Sequence, residues 1–253
     1  MNRRAATRTG RLTRGLVAVS LLLLAVPVPP VRAAEECPVP EAFAVARAAL
    51  PATAAAVRRQ ALTIVAMGGA ATLGGPAHGT DFTWPARLRV HLGERLPGVE
   101  IRVVVRAVAR QASADLLARI DAQLAADKAA LVIWGPGASA AGRGDDLDTF
   151  TGDLSDAIGK IRGAGADLIL MTLQYAPSVA RVVNLPPYRA AVIRAAETAD
   201  LPVFDRYELM RFWSDNAVLD LDATDAAERT RVARKVYDCM ADLLARGIAD
   251  AVK

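Results

Sequence analysis

Five short runs of β-forming apolar residues recur along this chain, each followed by a longer stretch with helical spacing. That alternation limits the folds open to the chain more than any other feature. The runs are Ala61–Met67, Val99–Val105, Ala129–Trp134, Asp167–Met171 and Leu201–Phe204. Each is short and bounded by Gly, Pro or charged turns, and such continuous apolar runs imply strands covered on both faces. Between them, Trp84–Leu96 places Leu88, Leu92 and Leu96 on one helical face, and Ala112–Ala125 gathers Leu116, Leu117, Ile120 and Leu124. Further helices are predicted at 147–162, 187–199, 206–213 and 224–248, the last spacing Val232, Val236, Met240 and Leu244 for packing. Strand–helix alternation of this kind predicts an α/β fold: a single doubly wound, flavodoxin-like parallel sheet of about five strands over residues 60–253.

The first 33 residues stand apart from that pattern. Arg3, Arg4, Arg8, Arg11 and Arg14 precede the apolar run Leu16–Val26, and a Pro-rich segment ends at Val31-Arg32-Ala33. This order predicts a signal peptide cleaved near Ala33. Its apolar run of about eleven residues is too short for a hydrocarbon core that needs about 20, so no stable membrane anchor is expected after cleavage. Residues 34–59 then form an N-terminal extension, and the protein is expected to be exported, periplasmic or secreted. The leader carries six arginines and no acid, so the formal charge of +4 less those six is −2 for the remainder. The positive balance therefore belongs to the leader, and a nucleic-acid partner is not expected. Cys37 and Cys239 are the two cysteines. An oxidising compartment predicts a disulfide between them. With two cysteines and two histidines in all, no zinc site, other metal or cofactor is expected.

In an open parallel sheet the ligand crevice lies beyond the carboxyl ends of the strands. The loop after the first run reads Met67-Gly68-Gly69-Ala70-Ala71-Thr72-Leu73-Gly74-Gly75. It lacks the Gly-Lys-[Ser/Thr] of a phosphate-binding loop, and taken alone it fits a structural glycine turn. With its neighbours it is more specific. Leu62–Gly74 resembles the first conserved block of the SGNH/GDSL hydrolase superfamily, in which a strand ends in Gly-Asp-Ser-Leu. Val99–Arg119 resembles the second block, Leu131-Val-Ile-Trp-Gly-Pro-Gly-Ala-Ser-Ala the third, and Leu219-Asp-Leu-Asp-Ala-Thr-Asp225 the last. Leu173–Pro177 and Pro202–Trp213 resemble the region leading to it. The resemblance spans about residues 60–250 and implies an ester-hydrolase ancestry.

The same resemblance fails at the chemistry. Ala70 stands at the position of the nucleophilic serine, Asp222 at the histidine and Leu219 at the orienting aspartate. Ala107 and Ser139 take the places of the oxyanion glycine and asparagine. A methyl group cannot attack an acyl carbon, and a carboxylate does not replace an imidazole as acid and base at neutral pH. The expectation is an exported protein that has lost ester hydrolysis and binds an unknown small-molecule or glycan ligand, with envelope glycan and acyl esters as the classes the resemblance suggests. Binding candidates are Gly68, Gly69, Ala70, Thr72, His78 and Ser139. The alternative is an active esterase with a rearranged site that uses Thr72 or Ser139 with His78. The milder reading of Thr72 is a brace for the turn. His91 reads as structural, Trp84, Trp134 and Trp213 as core, and the acids at 220, 222 and 225 as capping or solvated groups.

Overall fold

In the computed structural model every apolar run is a strand: β1 Ala61–Gly68, β2 Glu100–Ala107, β3 Leu131–Trp134, β4 Asp167–Met171 and β5 Val203–Phe204. All pairings are parallel and the order is β2-β1-β3-β4-β5. The structure describes residues 37–41, 43, 49–74 and 79–253. The predicted leader at 1–33, Gly75 and His78 lie outside the described residues.

Alternation along the strands assigns side chains to two layers, as the two-residue period of a strand requires. Ile64, Ala66, Leu131, Ile133, Ile169 and Met171 face one apolar cluster. Helices α1 Pro51–Arg58, α3 Trp84–Arg95, α9 Arg206–Asp215 and α10 Ala226–Ala251 contribute to that side. Val65, Met67, Val132, Trp134, Leu168 and Leu170 face the other. There they meet α4 Ser113–Asp127, α5 Ala138–Arg143, α6 Leu147–Gly163 and α8 Pro186–Thr198. Burial of both faces explains why the strands read as continuous apolar runs rather than as alternating ones.

Four helices start where a side chain accepts from a free N–H. Thr83 caps α3, Asp146 caps α6, Asp205 caps α9 and Asp225 caps α10. For Asp225 this is the capping role expected from the sequence. His91 lies between α3 and α10, with Nε2 2.9 Å from an Asp238 carboxylate oxygen. Trp84, Trp134 and Trp213 are all buried, as their core assignment requires.

One compact unit runs from Cys37 to Lys253, so residues read from sequence as an N-terminal extension pack on the sheet. Leu50 and Ala56 enter the core, and Thr53 donates through both N and Oγ1 to Asp167 Oδ2 at 2.7 Å. Cys37 and Cys239 form the expected disulfide, with Cα atoms 5.5 Å apart across a separation of 202 residues. Beside it, Trp213 Nε1 donates to the Pro38 carbonyl at 2.6 Å. Among the described residues no helix is long and apolar enough to cross a membrane.

Candidate functional site

Strand order decides where a cleft can open. β1 has β2 on one side and β3 on the other, so the chain leaves their carboxyl ends in opposite directions and exposes a crevice there. In register, Gly68 pairs with Ala107, and Met67 pairs with Trp134. The loops after β1 and β3 therefore meet. A cleft of about 580 Å³ lies against them, bounded by Gly69–Thr72, by Gly135, Ala138, Ser139, Gly142 and Arg143, and by Met171–Gln174 after β4.

The glycine turn is built for close approach. A Cβ on Gly68 would stand 2.4 Å from Thr72 Oγ1, and one on Gly69 would stand 3.5 Å from Ser139 Oγ. Val108 N donates to the Gly68 carbonyl at 3.0 Å, which ties the loop after β2 to the same turn. Ala70 opens the short helix α2 Ala70–Leu73 and is exposed in the cleft wall. Thr72 is buried, packed against Gly68, and its N–H donates to the Gly69 carbonyl at 3.0 Å. That packing fits a brace better than a nucleophile. Across the cleft, Gly137 takes a φ of +94° that favours glycine, and a Cβ there would press on Leu173 and Phe150. Its conformation starts α5, which carries Ser139 into the cleft wall.

Gly69, Ala70, Thr72 and Ser139 therefore share one cavity, with Gly68 directly behind it. The remaining positions from the resemblance do not join them. Ala107 ends β2 and is not among the residues lining the cleft. Leu219 is buried in the apolar core, its N–H donating to the Trp213 carbonyl at 3.2 Å. Asp222 lines a neighbouring cleft of about 580 Å³ that shares only Gln174 and Ala176 with the first. There it accepts from Ser178 N at 3.0 Å and from Arg181 Nη2 at 3.2 Å. Hydrogen bonding from the Ser178 side chain, helped by its backbone N–H and by Arg181, holds the Asp222 carboxyl below its ordinary pKa. Ser178 belongs to the short helix α7 Pro177–Ala180, so that Asp222 is tied to this helix.

Sequence reasoning passed over the basic residues of the site. Arg110, Arg143 and Arg206 line the first cleft, and no Asp, Glu or His is among its described lining residues. Arg143 pairs with Asp145 and donates to the Arg110 carbonyl at 3.0 Å. Arg206 is buried and donates through Nη2 to Gln174 Oε1 at 2.7 Å. Next to it in sequence, Asp205 accepts from Thr172 Oγ1 at 2.7 Å and pairs with Arg189. Burial pushes the Asp205 carboxyl up, but those two partners outweigh it and hold its pKa below the ordinary value. One signal for Arg206 was available in the sequence, namely a cation in the first turn of a predicted helix, where an acid is the favoured residue.

Comparison with known proteins agrees with this architecture. The non-GDSL lipase-like family matches residues 36–253. No curated protein matches the chain. Among solved structures, a psychrotrophic esterase from Pseudoalteromonas sp., inhibited by monoethylphosphonate, is 20% identical with a TM-score of 0.57, covering 73% of this chain and 97% of its own. An acetylxylan esterase from Geobacillus stearothermophilus, in a catalytic mutant with serine replaced by alanine, is also 20% identical with a TM-score of 0.57, covering 76% and 94%. A protein assigned to the G-D-S-L lipolytic family from Desulfitobacterium hafniense DCB-2 is 23% identical with a TM-score of 0.56, covering 73% and 98%. These structures share the SGNH-hydrolase fold with this chain.

Proposed function

Because the chain belongs to the non-GDSL lipase-like family, we propose that it is an exported protein that keeps the acyl-binding cleft of its SGNH-hydrolase relatives and has lost their ester hydrolysis. The observation that carries this reading is Ala70, a methyl group at the exposed start of α2 in the cleft wall. It offers no oxygen for acyl transfer. In the acetylxylan esterase a serine-to-alanine exchange makes a catalytic mutant, which supports reading a methyl group at this turn as a loss of chemistry. The cleft retains what binding needs: a turn closely packed enough for backbone approach, an apolar wall, and a few polar groups that orient a ligand. Acyl esters and acetylated envelope glycans are the ligand classes that the relatives suggest. The predicted leader and the disulfide support export.

The alternative, a rearranged esterase, has one observation in its favour: Ser139 carries a hydroxyl into the cleft wall. A serine needs a base within hydrogen-bond reach, and no described residue of the cleft lining supplies one. His78 remains the candidate base of that alternative. Hydrolysis of short-chain aryl esters by the purified chain decides between the readings. Rates equal to buffer from pH 5 to pH 9 are expected. Turnover above buffer that vanishes in both Ser139→Ala and His78→Ala would replace the binding reading with the enzymatic one.

A further inference from the structure

Arg206 is the one fully buried cation among the described residues lining this cleft, and no carboxylate among the described residues pairs with it. The side chain is 3% exposed. Its Nη2 is satisfied by the neutral Gln174 amide, and Nε has no hydrogen-bond partner. Tyr237 is its other hydrogen-bonding partner, and burial holds that phenol above its ordinary pKa, so it stays neutral and supplies no counter-charge. Asp205, the nearest carboxylate in sequence, is committed to Arg189 and Thr172. Arg206 also stands at the first position of α9, where the helix dipole disfavours a cation. A guanidinium does not shed its proton in proteins, so the charge persists. A buried charge left without a partner is costly, and such cations are ordinarily paired.

The rest of the cleft indicates what would complete that pairing. Its charged lining residues are Arg110, Arg143 and Arg206, all positive, and Asp145 already offsets Arg143. The same cleft is also lined by the apolar side chains of Leu173, Val179, Val183 and Leu185. A ligand that suits both surfaces has an anionic head and an apolar body. A neutral ester would leave the guanidinium uncompensated, and a fully polar acidic sugar would leave the wall uncovered.

We infer that the cleft binds an amphiphilic carboxylate, its head paired with Arg206 and its apolar chain laid along Leu173, Val179, Val183 and Leu185. This rests on the reading of the cleft as an acyl-binding site and specifies the ligand of that site. The carboxylate is the product side of ester hydrolysis, so a fold that no longer cleaves an ester can still hold an acid.

Calorimetric titration of the purified full chain with octanoate, octanamide and glucuronate tests the inference. Octanoate should bind at least about tenfold more tightly than the isosteric neutral octanamide, equivalent to roughly 1.4 kcal/mol. Glucuronate should bind more weakly than either. In Arg206→Gln the preference for octanoate over octanamide should be lost. Equal binding of octanoate and octanamide by the native chain would overturn the anionic head and leave the acyl-binding reading standing. Absence of binding by both would sink the acyl-binding reading and this inference with it. Preference for glucuronate would overturn the apolar tail. The comparison within the native chain is decisive by itself should Arg206→Gln fail to fold.

Discussion

At the scale of single residues, the site divides into positions whose roles follow from side-chain chemistry and positions whose roles follow from where the chain puts them. Ala70 belongs to the first kind, because no environment makes a methyl group nucleophilic. Leu219 belongs to the second. It aligns with an orienting aspartate in the resemblance, yet its side chain sits in the core with Trp213 and Met240. Leu219→Asp therefore buries a carboxylate among apolar groups instead of rebuilding a catalytic acid. It should destabilise the fold by about 2–4 kcal/mol, measured by urea denaturation. A loss below about 1 kcal/mol would mean that the side chain reaches solvent or a partner. Arg206 is the converse case: its chemistry is visible in the sequence, but that it pairs with no carboxylate among the described residues appears only when the chain is folded.

At the scale of elements, the predicted strands and long helices match the observed ones to within a few residues, because apolar periodicity and capping acids are local signals. Three short helices were not read from the sequence: α2, α5 and α7, of four, six and four residues. Segments this short have no period to detect, and nucleation makes them unstable alone. All three border the clefts, so these short unread elements shape the site. Helix α1 shows another limit, since its alanine-rich sequence gives little sign of what it docks against. Thr53 supplies the answer with two bonds to Asp167 at the start of β4. Thr53→Val keeps the shape, removes the hydroxyl donor and leaves Asp167 half-satisfied. It should cost about 1–3 kcal/mol in urea denaturation, with Thr53→Ser close to the parent. A neutral Thr53→Val would show that α1 is held by apolar contacts alone.

At the scale of the whole molecule, the Cys37–Cys239 bridge closes nearly the entire described chain into one loop and holds the N-terminal segment against α10. In the chain-entropy account, a loop of 202 residues restricts the unfolded state enough to contribute about 5 kcal/mol. The double variant Cys37→Ser with Cys239→Ser should lose most of that stability in chemical denaturation, and a reducing agent should lower the native chain toward the variant. Coincident unfolding curves for the native and double-variant chains would show that the bridge adds nothing. Such a dependence suits an oxidising compartment, where the bond persists.

The sequence by itself determined the layered α/β architecture, the helix starts and the absence of a serine at Ala70, because each is written in neighbouring residues or in the identity of one side chain. Only the tertiary structure decided which of the aligned positions share a cavity. It gathered Gly69, Ala70, Thr72 and Ser139, placed Asp222 in the adjoining cleft and Leu219 in the core, and left Arg206 without a counter-ion among the described residues. The physical reason is that strand register and helix packing set distances between residues far apart in the chain, and electrostatic pairing depends on those distances rather than on sequence order.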